Sequence, residues 1–404
     1  MNILFLSLLD YDSFEDRNIY TDLLREFMKH GHTVTALSPF ERKQNKEEKI
    51  IEEKNGIILK VKIGNTQKVN FIEKGISTIL LETQILSKAK RYLKSVKFDL
   101  ILYTTPPVTV KRVVSYFKKR DNAITYLLLK DIFPQNAVDI GALSKTGLKG
   151  LIYKYFRNKE CALYKISDYI GCMSDANVRY LLKENPYLDS QRIEVCPNSL
   201  EPEEIVVEEK DRIRMQYGIP TDKKVVIYGG NLGKPQGVDF LLKCIEECTL
   251  PDIYFLIVGN GTEYNKIVTY IGESDRDNIT LIESLPRSEY EILLRCCDIG
   301  VVLLDSRFTI PNFPSRMLSY MLAEIPILAA TDVNTDVRDV IESGQFGLWG
   351  EHGDVKAFLK NIVAICQNND SQKYGKKARE YFDNHYTAKH SFSIIENRIL
   401  KNKS

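Results

Sequence analysis

No two cysteines in this 404-residue chain stand in a CxxC spacing, so the usual signature of a structural zinc site or a dithiol redox centre is missing. The eight cysteines, Cys161, Cys172, Cys196, Cys244, Cys248, Cys296, Cys297 and Cys366, lie mostly inside apolar patterns. They are expected to be buried thiols in a reducing compartment. Five histidines, His30, His32, His352, His385 and His390, share no metal-ligand spacing with acidic neighbours on one helix face, and no DxD motif stands in a convincing metal-binding loop. Metal-independent chemistry is the expectation. No uninterrupted apolar run approaches the ~20 residues that span a bilayer. The opening MNILFLSLLDYD holds an apolar run of about seven residues with no basic region ahead of it, which reads as a buried first strand rather than a secretory signal. A cytoplasmic location is expected, with a peripheral place on the inner face of the cell membrane as one reading. Glycine is absent from the turn after that strand, LFLSLLDYDSFEDR. A dinucleotide fold needs GxGxxG there, so a nicotinamide-dependent dehydrogenase is disfavoured.

What is present is an ordinary globular composition, 44% hydrophobic and 27% charged, in a chain too long for one comfortable core. The net charge of +2 conceals an asymmetry: residues 1–200 hold 32 Lys and Arg against 23 Asp and Glu, whereas residues 201–404 hold 24 against 31. In the first half the short apolar runs NILFLSL, TVTAL, IILKVK, DLILY, ITYLLL and DYIGC alternate with helical stretches. KVVIYGG, IYFLIVG, NITLI, DIGVVLL and IPILA restart the same rhythm in the second. Strands separated by helices imply parallel βαβ units. The pattern predicts an α/β chain of two doubly wound Rossmann-like domains facing across a cleft, with ligands at the carboxyl ends of the strands. The prolines and polar residues of CPNSLEPEE mark a linker. One domain is expected over 1–200, a second over 201–385, and a C-terminal helix over 386–404 that crosses back to the first.

Three loops carry chemistry. IYGGNLGKPQGVDFLL, residues 227–242, runs from an apolar strand through Gly229, Gly230, Gly233 and Gly237 into a helix. Free amides and the helix dipole at such a turn favour an anion, and Lys234 adds a point charge. It is not a P-loop, because Tyr228 fills the first glycine position and Pro235 follows the lysine. In IPNFPSRMLSYMLAEIPIL, residues 310–328, Pro314 and Ser315 suit the first positions of a helix whose apolar residues recur at helical spacing. Its amides and Arg316 make a second anion-binding surface. In YLLLKDIFPQNAVDIG, residues 126–141, a buried strand delivers Lys130 and Asp131 to its end. A carboxylate there is costly unless used or paired, which makes Asp131 the candidate to position a hydroxyl or accept its proton.

These segments resemble the family-4 glycosyltransferases of the GT-B fold, in their bacterial surface-polysaccharide branch, and the resemblance spreads over nearly the whole chain. YGGNLGKPQGVDFLL is similar to the family's diphosphate-wrapping loop, which implies donor contacts at Gly230, Asn231, Gly233, Gln236 and Gly237. Many members have Arg and Lys where this chain has Asn231 and Gln236, so Lys234 is the candidate for the displaced charge. FLIVGNGTEYNKI resembles the loop beneath the donor, through Gly259 and Gly261, and SLPRSEYEILL resembles the base-binding turn, through Leu285. By the same resemblance Pro314, Ser315, Met317 and Ser319 face the donor. The family places one Glu at the position of Ser319 and another at Pro311, for ribose and donor-sugar contacts, and both carboxylates are absent here. Asn198, in VCPNSLEP, matches the family's P-N pair near the linker. On the acceptor side the resemblance points to Asp10 and Arg17, in the loop after the first strand, and to Lys130 beside Asp131.

Lysine-rich amphipathic stretches, GISTILLETQILSKAKRYLKSVKF and SKTGLKGLIYKYFRNKECALYKIS, lie in the basic half. A peripheral membrane contact is one reading of them and a core-packed helix with solvated charges is the other. No nucleic-acid module is visible. The resemblance implies a retaining hexosyl- or N-acetylhexosaminyl-transferase with Asp131, Lys234 and Arg316 as catalytic residues. It would move a sugar from a nucleotide-diphosphate donor, expected to be a UDP sugar, to a glycan or lipid-linked glycan. No cofactor is expected beyond that co-substrate. A UDP-sugar epimerase of the same fold, or a catalytically weak nucleotide-sugar-binding protein, stands as the alternative.

Overall fold

The apolar runs Ile124–Leu129 and Ile299–Leu303 are buried along nearly their whole length, as strands covered by helices on both faces must be. Each is part of a separate sheet in the computed structural model, which describes residues 1–66, 71–274, 276–367 and 371–400. The chain divides into two units, Met1–Glu201 with Ala388–Ser404, and Pro202–Thr387.

The first unit runs β1 (Asn2–Leu6), α1 (Thr21–Lys29), β2 (Thr33–Glu41), β3 (Ile50–Glu53), β4 (Gly56–Ile63), α2 (Phe71–Tyr92), β5 (Leu100–Thr105) and α3 (Lys111–Asp121). It continues through β6 (Ile124–Leu129), α4 (Gln135–Asp139), α5 (Gly147–Ile166), β7 (Tyr169–Cys172), α6 (Asp175–Glu184) and β8 (Ile193–Val195). Its sheet has the order β3-β4-β2-β1-β5-β6-β7-β8, parallel except for β3 against β4. The second unit contains α7 (Lys210–Gln216), β9 (Lys224–Gly229), α8 (Val238–Glu247), β10 (Ile253–Val258), α9 (Tyr264–Glu273), β11 (Ile279–Ile282) and α10 (Arg287–Leu294). After these come β12 (Ile299–Leu303), α11 (Arg316–Leu322), β13 (Ile327–Thr331), α12 (Val337–Gly344), β14 (Gly347–Glu351), α13 (Val355–Gln367) and α14 (Ser371–His385). This sheet is parallel throughout, in the order β11-β10-β9-β12-β13-β14. The winding direction reverses between β9 and β12, and the loops leaving their carboxyl ends border the crevice where such sheets take ligands.

The last helix, α15 (Ala388–Leu400), belongs to the first unit. Phe392, Ile395 and Ile399 join Leu23, Leu24 and Phe27 of α1 in one core cluster. Phe27 and Phe392 meet edge to face at 4.9 Å, and His30 stacks on Phe392 at 4.2 Å. Two histidines of the sequence therefore serve packing, since His32 also lies against Phe27. Residues 401–404 of the expected C-terminal helix lie outside the described residues. Three strands escape sequence patterning, β3, β8 and β14. All three are sheet edges, short or interrupted by glycine, so they present no continuous apolar run.

Amphipathic α2 resolves into two parts. Leu86 and Leu93 are buried in the core, whereas Ile76, Ile79 and Leu80 are exposed. In α5, Leu148 and Leu151 also face outward. Among the described residues no helix is long and apolar enough to cross a membrane.

Two charged networks hold the first unit. Glu201 accepts from Arg25 at 3.0 Å and from Lys29, while its own amide bonds Asp22 at 2.8 Å. Asp22 in turn pairs with Arg25 at 2.6 Å. The second network centres on Lys60 of β4, whose side chain is 1% exposed. Its ammonium is met by Asp10, by Asp12 at 2.9 Å, and by the Tyr11 carbonyl at 2.8 Å. Burial pushes the Asp10 carboxyl up, but the hydrogen bonds and charges of Lys46 and Lys60 outweigh it and hold its pKa below the usual value. Asp10 was expected on the acceptor side; the structure commits it to a buried cation, because an unpaired ammonium in that position costs several kcal/mol.

That commitment is testable by chemical denaturation. Asp10→Ala should cost roughly 1–3 kcal/mol with Asp12 still in place, and Asp10→Ala with Asp12→Ala about 3–5 kcal/mol. Adding Lys60→Met to the double variant should recover most of the loss, since the uncompensated charge is then gone.

Candidate active site

β9 ends at Tyr228 and Gly229, and the chain then turns at Gly230, whose φ of +123° suits glycine alone. Sequence reasoning expected open amides from here to Gly237. The structure fills part of that space with a single helical turn over Lys234–Gln236. The Gln236 amide donates to Gly233 O and the Gly237 amide to Lys234 O, both at 3.1 Å. The Gln236 side-chain oxygen also accepts from the Gly233 amide and from Asn231 Nδ2, each at 3.2 Å. Asn231 and Gln236 are thus bonded to each other. Lys234 is exposed and forms no ion pair among the described residues.

Gly259 and Gly261 have a structural reason for being glycine. A Cβ on Gly259 would stand 1.9 Å from Gly230 O, and one on Gly261 would stand 2.3 Å from Leu232 O. The loop after β10 lies directly under the loop after β9, tied to it by Gly230 N to Val258 O at 2.8 Å and Leu232 N to Asn260 O at 2.9 Å. Support of the first loop accounts for both residues without a ligand.

Arg316 opens α11 and turns its guanidinium toward the same loop. Its Cζ lies 4.3 Å from the centre of the Tyr228 ring and 3.4 Å from where a Gly230 Cβ would be. Nη1 is buried and meets no acceptor among the described residues. The ring face offsets part of the charge, yet a buried charged donor with no hydrogen bond is costly. Just ahead of it, the Met317 amide bonds Pro314 O at 3.2 Å and the Leu318 amide bonds Ser315 O at 3.1 Å. Among the described residues the Ser315 and Arg316 amides make no backbone hydrogen bond at this end. Met317 was expected to face the donor, but its side chain is fully buried and its amide is spent in the turn. Ser319 lies partly exposed one turn into α11, and Leu285 is partly buried in the loop between β11 and α10.

Sequence reasoning missed the tyrosines around Arg316. Tyr320 Oη accepts the Gly229 amide and donates to Val301 O, both at 3.1 Å, so it links β9 to β12 at the point of reversal. Its ring needs Gly300, where a Cβ would stand 2.5 Å away. Tyr290 of α10 presses on Gly229 in the same way. The only signal was aromatic residues inside apolar helical patterns, which reads as core. Also missed was His352, which packs on Phe240 at 4.6 Å and against Gly237 with both ring nitrogens unpartnered among the described residues.

In the first unit, Asp131 stands just past β6. Thr105 Oγ1 donates to its carbonyl at 3.0 Å, and Asn136 Nδ2 reaches its carboxylate at 2.8 and 3.0 Å. Burial pushes its pKa up to about 6 against those hydrogen bonds and the Ile132 amide. Lys130 forms no ion pair with it. Successive residues at a strand end point to opposite faces, and Lys130 Nζ instead donates to Cys196 O at 3.3 Å. Burial pulls its pKa down to about 8, opposed by the neighbouring Cys196 and Cys172 thiols. Arg17 donates to Glu201 O at 2.7 Å, which places it in the network at the end of this unit. Asn198, expected among the donor contacts, also belongs to the first unit and is buried with Oδ1 meeting no partner among the described residues. Among those residues no group of three or more His, Cys, Asp or Glu is arranged to hold a metal ion.

Comparison with known proteins agrees with this geometry. Residues 209–381 match the family model for glycosyl transferases group 1. A Pseudomonas aeruginosa relative named as the probable glycosyltransferase WbjE is 22% identical over 310 residues, 76% of this chain and 75% of its own. Sucrose-phosphate synthase from Thermosynechococcus elongatus superposes over 100% of both chains with a TM-score of 0.77 at 16% identity. Anabaena HepE, solved in complex with UDP and glucose, covers 99% of this chain and 100% of its own with a TM-score of 0.69 at 14% identity. The architecture is GT-B, the second unit carries a glycosyltransferase group 1 domain, and the chain is a glycosyltransferase.

Proposed function

We propose that this enzyme moves a sugar from a UDP sugar to a glycan or lipid-linked glycan in polysaccharide biosynthesis, with retention of anomeric configuration. The observation that carries the proposal is Arg316: a half-buried residue whose Nη1 is buried and has no partner among the described residues, at the carboxyl ends of the two strands where the winding reverses. A diphosphate satisfies it. Lys234 and the amides of Ser315 and Arg316 supply further positive potential for the same group. The neighbour HepE, whose complex contains UDP, and the relative WbjE, named as a glycosyltransferase, support the donor and the reaction class.

In the reaction, the acceptor oxygen bonds to the anomeric carbon on the face from which the diphosphate departs. The bond from that carbon to the diphosphate oxygen breaks, and UDP leaves with the electron pair. Arg316 and Lys234 stabilise the charge that builds on the leaving oxygens, so no metal ion is required. The acceptor hydroxyl proton goes to Asp131, which is mostly ionised at neutral pH and basic enough to accept it. Ser319 offers one hydrogen bond to the ribose where a carboxylate would offer a stronger one, at a loss of about 1–3 kcal/mol.

Calorimetric titration with UDP tests the donor site. Arg316→Ala should lose about 2–3 kcal/mol of binding, and Lys234→Ala about 1 kcal/mol; unchanged affinity in both variants would remove the site. Chelation with EDTA should leave the transfer rate unaltered.

The acceptor role has its own test in a pH profile. A base must be deprotonated to work, so the transfer rate should fall as pH drops through about 6, following the raised Asp131 pKa. Asp131→Asn should abolish transfer and leave UDP affinity intact; full activity in that variant rejects the assignment. Because the raised pKa means the charged form is disfavoured in the fold, stability lessens as pH climbs from the usual carboxylate range through about 6. Asp131→Asn should therefore melt higher than the parent at pH 7.5.

A further inference from the structure

Two other loops of the second unit hold the turn that carries Lys234. Pro235 O accepts the amide of Asp305, in the loop after β12, at 3.0 Å. At the end of the turn Gly237, with a φ of +60°, closes it and opens α8. There the ring of His352, the first residue past β14, occupies the room of a side chain: a Cβ on Gly237 would stand 2.1 Å from Nε2. The ring also packs on Phe240 of α8 at 4.6 Å. The His352 amide donates to Thr331 O at 2.9 Å, so the pairing of β13 with β14 fixes where the ring emerges.

A ring that serves only as a spacer is best made of carbon. Both nitrogens of His352 are buried, and neither has a hydrogen-bond partner among the described residues. That is costly for a packing residue, and an apolar side chain would fill the same room without the cost.

Charges reach the ring from every neighbouring element. In the loop after β12, Asp305 draws a proton toward it, while Arg307, paired with Asp305 at 2.7 Å, opposes one. Glu351 and Asp354 stand on its own loop, Lys356 begins α13, and Lys243 and Glu247 lie on α8, all around one groove with His352. Asp239 of α8 is paired with Lys266 at 2.7 Å, and Lys234 on the turn has no ion pair among the described residues. Desolvation dominates and holds the His352 pKa below the usual value, whereas Asp305 and the carbonyls of Gly237 and of His352 itself favour the charged form. The ring is therefore neutral at pH 7, with groups that favour the imidazolium already in place. A diphosphate on Lys234 brings negative charge to the segment that the ring abuts, and so favours a proton on it.

We infer that His352 is a positioning residue of the donor site, which sets the Gly237 end of the Lys234 turn and takes up a proton from solvent when a nucleoside diphosphate binds there. The inference rests on the donor reading and adds a proton to it. Binding and protonation then strengthen each other by the same factor. Because the anion raises a pKa that the fold holds low, the gain in affinity is present at low pH and is lost as pH rises through the pKa of the bound state.

Calorimetric titration with UDP-glucose at pH 5.5 and pH 7.5 tests this. The charge of that diester is constant over the range, whereas the terminal phosphate of UDP titrates at about pH 6. The parent should bind roughly threefold more tightly at the lower pH. His352→Phe keeps a ring against Phe240 and Gly237 but accepts no proton, and it should lose most of that dependence. His352→Gln should lose it as well, which keeps the test valid if the larger ring disturbs the turn. A flat profile in the parent overturns the inference. So do variants that lose affinity equally at both pH values, which would leave the ring a purely structural role. Failure of the parent to bind at either pH strikes the donor reading and this inference with it, whereas binding whose pH dependence survives in both variants strikes this inference alone.

Discussion

Arg316 brings a permanent positive charge into the second unit with aromatic rings rather than a carboxylate for company. Everything near it is arranged to permit that. Tyr228 lends its ring face, Gly230 leaves the room a side chain would take, and Tyr320 ties the two strand ends so that the guanidinium has a fixed floor. An internal carboxylate would have made this residue a structural ion pair. Without one, its Nη1 is a cationic donor left with no acceptor among the described residues. The folding cost of keeping it so is the reason to read it as function.

The two units treat charge in opposite ways. In the first, Lys60 and Glu201 are surrounded by partners, and their networks hold the loop after β1 and the end of the unit in place. Such fully matched charges contribute geometry and leave nothing for a ligand. Asp131 is intermediate, because Asn136 binds its carboxylate without neutralising it. A neutral amide orients the group and leaves it basic, whereas a lysine or arginine in that place would hold its proton affinity down.

The alternation of strands and helices made the two doubly wound sheets legible, and the loops after β9 and β12 could be picked from glycine, proline and helix-start chemistry alone. Of the edge strands only β11 was legible, since β3, β8 and β14 lack the continuous apolar run that a central strand shows. Within the site, Arg316 and Asp131 stood out because charged residues at the ends of buried segments are rare. The role of Asp10 did not, because its partner Lys60 is fifty residues away and looks like any exposed strand lysine in the text of the sequence. Nor did Gly259 and Gly261 reveal how closely a neighbouring backbone lies against them, since that depends on contacts across strands.

The hydrogen bond between Asn231 and Gln236 makes the two positions depend on each other. A cation placed at either position alone would leave the other amide without its counterpart and set the newcomer against a loop already closed around the Gly233 amide. The pair is therefore a clasp: each half holds the other, and loss of either frees the turn around Gly233 as well.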